Sequence, residues 1–417
     1  MSEVISLVEH ESIPIVASRE PGQKALSSRH FELLENLEKV LPAGAFQRGH
    51  QSIKWKQFCG VVQLQDITLE ILPKIYGKES DPGSSRQALI RMLQKARLLP
   101  NHKIGQANLN FQKHTLLDVF IFHFCDELQQ QLVQGKVREY VSHENNLPVI
   151  RGRLLLDQQV KVNLVNKERL YCRFDELSED VLLNKILRFT LKLILPLCRS
   201  NLARQRVSDL FMAFDKISNE VINVDSFQQL NLNRNNMRYS SLIDQCKLFV
   251  QGLNPDVLAG GAKAYSLLFD MNRLFEAWVA STIRKPANAQ GLRLKEQGPR
   301  KFLAYRKDAD RNVFQMKPDI ALLDHDDNLV LIGDAKWKLL SKDEIKLGIS
   351  QPDLYQLIAY ANRYDVKDLI LYFPAQQGLQ KLHQLEVHGV HQCNISIVCV
   401  DVLSNHQTLF PVQLYSL

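Results

Sequence analysis

The residue types best suited to chemistry stand between Lys317 and Lys338, where Lys-Pro-Asp-Ile-Ala-Leu-Leu-Asp-His-Asp-Asp-Asn-Leu-Val-Leu-Ile-Gly-Asp-Ala-Lys-Trp-Lys sets charged groups at the ends of two apolar runs. Asp319–Leu323 and Leu329–Ile332 each read as a buried strand, and Asp324 to Asn328 is turn chemistry, which predicts a β-hairpin. Paired strands lie about 4.8 Å apart, so Asp319 and Asp334 are within reach of one hard cation. Residues two apart in a strand share a face, which points Asp334 and Lys336 the same way and turns Ala335 into the core. Charges placed directly after four apolar residues sit near the buried edge of a sheet. They are costly there unless paired or bound to metal.

Two helices must position this hairpin. Upstream, Leu267 to Val279 has apolar residues at 267, 271, 274, 275 and 278, a helical spacing that carries Glu276 along the rim of the buried face. Downstream, Asp353 to Tyr360 places Gln356 and Tyr360 one helical turn apart. Taken singly, each feature has a plainer reading: an Asp at a strand end is a turn former, a Lys two residues on is solvated, and a Gln with a Tyr is a surface hydrogen-bond pair.

Together, Pro318-Asp319, fourteen intervening residues, Asp334-Ala335-Lys336 and Gln356-x-x-x-Tyr360 resemble the PD-(D/E)xK signature of restriction-endonuclease-like nucleases. The order of parts is also that of the nuclease core. The resemblance implies an αβββαβ core and Mg²⁺ as cofactor. Asp319, Asp334 and the Ala335 carbonyl would be metal ligands, and Glu276 a further one, direct or through water. Lys336 would orient or activate the water, and Gln356 with Tyr360 would hold the substrate strand or buttress the site. A second acid that is Asp rather than Glu stays within the signature.

At 417 residues the chain is too long for one typical core, and 45% hydrophobic with 23% charged residues is the composition of an ordinary folded protein. We expect no membrane partner, since there is no signal-like start and no run of 18 apolar residues. Seven cysteines without Cys-x-x-Cys pairs or His partners at metal spacing point to a reducing cytoplasm and no zinc site. From Arg284 to Lys317, ten basic residues stand against three acids, so this one stretch carries the whole formal charge of +7. It leads straight into the acidic hairpin, where a polyanionic backbone would lie.

In outline we expect an α/β multidomain chain. Residues 1–85 read as a β-rich, partner-docking N-terminal module, with strands near 4–9, 13–16, 52–55, 60–64 and 67–75, a helix over 31–41, and a linker over Lys78–Ser85. Residues 86–260 read as a mainly helical middle region, with helices over 87–99, 116–132, 179–198 and 204–217. Ser178 is the expected cap of the third helix, and a β-hairpin is expected near 137–156. Residues 261–417 carry the nuclease-like core. No Gly-x-Ser-x-Gly elbow accompanies the scattered histidines, and His143, His325 and His388 read as structural or solvent-facing.

A more specific resemblance runs from about residue 55 to 400. Gly60-Val61-Val62 with Leu69–Ile75, Leu116–Phe120, Ile150-Arg151-Gly152-Arg153-Leu154, Phe174–Asp180 with Asn184-Lys185-Ile186, Asn236-Met237-Arg238-Tyr239 with Cys246-Lys247, and Phe269–Glu276 are similar to the McrC family. These are endonuclease subunits of McrBC-type, modification-dependent (methylcytosine) restriction systems. The resemblance implies that the chain cuts DNA together with an AAA+ GTPase of McrB type, whose hydrolysis it stimulates and which binds the GTP. In agreement, the sequence has no Gly-x-x-x-x-Gly-Lys-Ser/Thr phosphate loop of its own. Two other readings stay open: a PD-(D/E)xK nuclease of another DNA-processing or phage-defence complex, and a non-cleaving activator of a partner NTPase.

Overall fold

The computed structural model describes residues 3–38, 41–75, 77, 81–99, 114–165, 168–252, 264–376, 379, 382–387 and 393–404. It is a mixed α/β, multidomain chain with two compact units, Met1–Leu116 with Asn254–Leu417, and Leu117–Leu253. The two ends of the sequence thus build one unit, and the middle builds the other.

In the first unit, Phe58–Leu64 and Ile67–Leu72 are buried along their whole length and form an antiparallel pair. Glu3–Val8 adds to Ile67–Leu72 in parallel, and Ala264–Asp270 closes the other side against Phe58–Leu64, antiparallel. That last pairing depends on Gly60, whose φ is +147° and whose Cβ, if present, would lie 1.9 Å from the Leu267 carbonyl oxygen. A smaller sheet of Leu26–Ser27, Ser12–Val16, Ser52–Trp55 and Phe46–Arg48 packs with the helix Ser28–Leu37. Ser27 and His30 form a capping box at its start, and Leu33, Leu34 and Leu37 enter a core with Ile13, Ile53 and Trp55. The helix expected over 31–41 runs over Ser28–Leu37, and residues 39 and 40 lie outside the described residues.

Two local expectations are corrected here. The stretch Pro82–Ser85 is not linker but the first turn of the helix Pro82–Lys95, because Asp81 accepts the Gly83 N–H and Pro82 fits the first helical position; Lys78–Ser80 lie outside the described residues. The helix expected from Leu267 begins only at Met271. Leu267–Phe269 belong to the strand paired with Phe58–Leu64, and Asp270 caps the helix Met271–Ala289 through the Asn272 N–H, at 2.9 Å.

The second unit contains the helices Leu116–Val133, Leu182–Ile194, Asn201–Met212 and Ser240–Gln251. Ser178 does not cap a helix: its hydroxyl accepts the Asp180 N–H, and the helix starts at Leu182 without a side-chain cap. Glu179 instead binds Lys136 and Arg138, at 2.9 and 2.6 Å. Nor do 137–156 form a self-paired hairpin. Glu139–Leu147 and Arg153–Leu154 both pair with Leu170–Ser178, from its opposite sides. A short helix, Leu156–Asn163, precedes that central strand, and its Leu156, Val160 and neighbouring Leu164 are exposed.

The C-terminal part of the first unit is a six-stranded sheet in the order Arg293–Glu296, Ile320–Leu323, Leu329–Ala335, Asp368–Pro374, Asn394–Val400, Leu382–Glu386. Leu329–Ala335, Asp368–Pro374 and Asn394–Val400 run parallel, and their buried residues pack with Leu357, Tyr360 and Tyr364 of the helix Gln351–Tyr364. Ser350 caps that helix and Asp365, left-handed at φ +59°, ends it. A two-stranded ribbon, Lys301–Arg306 with Arg311–Met316, is inserted just before the acidic hairpin. Among the described residues no helix is long and apolar enough to cross a membrane, and all seven cysteines are buried free thiols.

Candidate active site

The hairpin is made by its own turn. The Asp324 carboxylate accepts the N–H groups of Asp326 and Asn328, at 2.9 and 2.8 Å, and the Asn328 side-chain amide. The resulting register sets Ile320 opposite Gly333, and one step further Asp319 stands across from Asp334. Gly333 fits here because a Cβ would press to 2.9 Å from the Tyr372 ring. The Ala335 N–H donates to Asp319 Oδ2 at 3.0 Å, so the strand end itself fixes one acid.

Lys336 Nζ lies 2.7 Å from Asp334 Oδ2, 3.2 Å from Gln356 Oε1 and 3.9 Å from Asp353 Oδ1. Gln356 in turn donates its amide N–H to the Tyr360 hydroxyl at 2.8 Å. On the other side, the Gln297 amide donates to Glu276 Oε2 at 2.9 Å and to Asp319 Oδ1 at 3.2 Å. Asp319, Asp334, Lys336, Glu276, Gln356 and Tyr360 are therefore linked into one polar cluster through Gln297 and the Ala335 backbone. A groove of about 560 Å³ opens beside it, lined by Arg273, Glu276, Ala277, Gln297, Lys317 and Asp319 among others.

Burial is the main force on these acids. It pushes Asp319 up to about 8, with the charges of Asp334 and Glu276 adding to the effect. Asp334 is raised by burial, against the pull of Lys336, and Glu276 by burial and then by Asp334. Burial alone would lower the Lys336 ammonium, but the carboxylate of Asp334 beside it outweighs this and holds it above its ordinary value. A cluster of acids so reluctant to ionise is stabilised by any cation placed among them.

The residue after this cluster ties it to the N-terminal strands. The Trp337 indole donates to Glu9 Oε1 at 2.7 Å, an oxygen that also accepts the Lys74 N–H at 2.8 Å. The Trp337 ring meets Phe275, the neighbour of Glu276, edge-on at 5.3 Å between centroids. Burial pushes the Glu9 carboxyl up to about 7.

The sequence model of the family described as McrBC, "McrBC 5-methylcytosine restriction system component", matches residues 53–374. The chain belongs to this family. The type IV methyl-directed restriction enzyme EcoKMcrBC of Escherichia coli (strain K12) is 22% identical over 313 residues, 71% of this chain and 88% of its own. Among solved structures, a chain of the refined half-complex from the tetradecameric assembly of Thermococcus gammatolerans McrB AAA+ hexamers with bound McrC matches at a TM-score of 0.74 and 21% identity, over 97% of this chain and 96% of its own. A chain of the cryo-EM structure of the Thermococcus gammatolerans McrBC complex matches at 0.53 and 23% identity, over 67% and 87%. The two likenesses are likenesses of fold.

The McrBC family match includes every residue of the acidic cluster, from Glu276 to Tyr360. Two members of that cluster escaped sequence reasoning. Asp353 stands three residues before Gln356, and that one-turn spacing was a usable signal. Gln297 gave none: it reaches the acids only because its backbone, at φ +51°, turns left-handed and its N–H donates to the Asp319 carbonyl at 2.9 Å. Of the histidines, His143 and His325 are exposed, and His388 lies outside the described residues.

Do these residues fit a divalent metal? Among the described residues no group of three His, Cys, Asp or Glu side chains is arranged to hold a metal ion. Mg²⁺ does not require one, because it binds through one or two carboxylates and keeps several waters. Asp334 Oδ2 is buried and receives no well-aligned hydrogen bond among the described residues, although Lys336 Nζ is close. A donor set made only of carboxylate and carbonyl oxygens suits a hard cation.

Proposed function

We propose that this chain is the DNA-cutting subunit of a modification-dependent restriction system of the McrBC type. In this reading Asp319, Asp334 and Lys336, with Glu276, form the active site of a PD-(D/E)xK core. The sheet supports it: the helix with Glu276 is followed by Arg293–Glu296, Ile320–Leu323, Leu329–Ala335, the helix with Gln356 and then Asp368–Pro374, in αβββαβ order. The observation that carries the reading is the meeting of two buried, mutually repelling acids and a lysine at the ends of two neighbouring interior strands.

Asp319 and Asp334 would hold Mg²⁺, with the Ala335 carbonyl and Glu276 as further ligands. When bound, the ion supplies charge neutralisation at the phosphoryl oxygens and an easier deprotonation of water. Lys336, kept protonated by Asp334, presents a positive charge to the phosphate and can donate to an oxygen at the reacting centre. Gln356 holds the ammonium in place through its carbonyl oxygen and is itself held by Tyr360. Arg273 and Lys317 line the groove beside the acids and offer charge to the flanking phosphates. For its partner we take the cue from the fold relative, described as McrC bound to McrB AAA+ hexamers: this chain joins a McrB-like AAA+ GTPase and stimulates its hydrolysis.

The test is cleavage of methylated and unmethylated plasmid with Mg²⁺, by the chain alone and with the AAA+ partner and GTP. Cutting only with partner and nucleotide is expected. Lys336→Ala should slow it roughly 10²–10⁴-fold, and Asp334→Asn should reduce it to background while partner hydrolysis stays stimulated. Unaided cutting would point to an independent nuclease, and stimulation without cutting to a non-cleaving activator.

A further inference from the structure

The ribbon Lys301–Arg306/Arg311–Met316 has no role in the fold that its composition explains. Its strands alternate, so its two faces should differ, yet both are largely exposed. Leu303 and Phe314 fall at the one step the register skips, between the pairs Phe302–Gln315 and Ala304–Val313, and are 53% and 73% exposed. Phe314 is moreover left-handed, at φ +58°, a conformation that costs a bulky residue and is retained where surroundings or function demand it. At the tip Arg306 pairs directly with Arg311 across the strands, a like-charge opposition that destabilises a free ribbon. Asp308 neutralises Arg306, at 2.8 Å, but among the described residues Lys307 and Arg311 make no ion pair.

Its base, by contrast, is firmly held. Arg363 Nε donates to the Phe302 carbonyl at 2.7 Å, and the Tyr364 hydroxyl donates to the Pro299 carbonyl at 2.6 Å with the Met316 carbonyl 3.1 Å away. Lys301 Nζ lies over the Tyr364 ring, 4.9 Å from its centroid. Arg363 and Tyr364 end the helix that carries Gln356 and Tyr360, and Met316 is three residues from Asp319. The root of the ribbon is thus held by the end of the helix that carries Gln356 and Tyr360, a few residues in sequence from Asp319.

We propose that this ribbon is a DNA arm: it lies in a groove of the duplex beside the scissile phosphate, with Lys307 and Arg311 on the backbone and Phe314 against the groove wall. Two strands of six residues make a rod about 20 Å long, narrow enough for a major groove about 12 Å wide. A polyanion there pairs with Lys307 and Arg311 and covers Phe314. The arm sets affinity and the placement of the cut, and takes no part in the chemistry. The inference rests on the nuclease reading above.

The test uses the full chain carrying Asp334→Asn, so that DNA is bound but not cut, and fluorescence anisotropy with a labelled methylated duplex over a range of salt. Removing both charges (Lys307→Ala with Arg311→Ala) should weaken binding roughly tenfold near physiological salt and make the slope of log K against log salt shallower by about 2. Phe314→Asn, in which the new residue accepts the left-handed backbone, should weaken binding without changing the slope. Circular dichroism and Mn²⁺ binding by calorimetry, in chains that keep Asp334, should be unchanged in both. Unaltered affinity and slope in both variants would overturn the arm. So would intact duplex binding with lost association to the AAA+ partner, which would make the ribbon a protein-docking face. If the chain with Asp334→Asn cuts DNA like the parent, it is the nuclease reading that fails; if cutting needs Asp334 and the ribbon variants bind normally, only the arm fails.

Discussion

Gln297 lies between two acids and offers both the same neutral amide, which makes it a sensitive residue in the absence of metal. Without it, Glu276 and Asp319 face each other with no donor between them. Gln297→Ala should therefore cost the metal-free chain about 1–3 kcal/mol, and thermal denaturation with saturating Mn²⁺ should show a smaller loss, because the cation takes over the amide's task. Glu9 makes a second residue-level prediction, this time of sign. Its carboxyl is raised from 4.5 to about 7 by burial, so the folded chain keeps a proton that the unfolded chain has released. Stability contributed this way is complete below pH 4.5 and lost as pH rises to 7. Glu9→Gln removes the loss, and its advantage over the parent should grow between about pH 4.5 and 7, on a scale of ~3 kcal/mol, then stay level. Denaturation curves across that range decide it; a pH-independent difference would mean that Glu9 is ionised throughout. Asp319, Asp334 and Lys336 could be picked out in the sequence because their meaning is local, a matter of spacing along one hairpin. Gln297 and Glu9 could not, because their partners are brought in by other parts of the chain.

Elements were legible where the apolar period was unambiguous and pairing was between neighbours, as in Phe58–Leu64 with Ile67–Leu72 and in the hairpin around Asp324. Legibility failed where the decisive partner was remote. Leu267-Leu268-Phe269 suits a helix or a strand, and only the edge of Phe58–Leu64, distant in sequence, settles it. In the same way Leu170–Ser178 takes both strands that were expected to pair with each other. The cost of that remote pairing is concentrated at Gly60. Gly60→Ala brings a methyl group onto the Leu267 carbonyl at a backbone angle that Ala resists. We expect it to destabilise the first unit by more than ~3 kcal/mol, seen as a lower midpoint in urea or as insoluble product, whereas Val62→Ile nearby should be tolerated far better.

At the scale of the molecule, the middle unit exposes apolar side chains that its own core does not use, Val149 and Ile150 in one loop and Leu156, Val160 and Leu164 on or beside one short helix, all more than half exposed. Leu156, Val160 and Leu164 are spaced by four and so share one helix face, an apolar stripe of the kind covered in a complex. Leu156→Ser with Val160→Ser should leave the free chain's stability within about 0.5 kcal/mol and weaken association with the AAA+ partner, as measured by size-exclusion chromatography of the mixed proteins. The first unit has a different consequence, set by time. Its central strand Phe58–Leu64 is bordered on one side by Ala264–Asp270, some 200 residues later in the chain. At a synthesis rate of about 5–20 residues per second, the edge of a strand that is buried along its whole length in the fold waits ~10–40 s for its neighbour to leave the ribosome. A nascent chain in that state is a natural client for chaperones, and co-expression of a chaperone should raise the soluble yield.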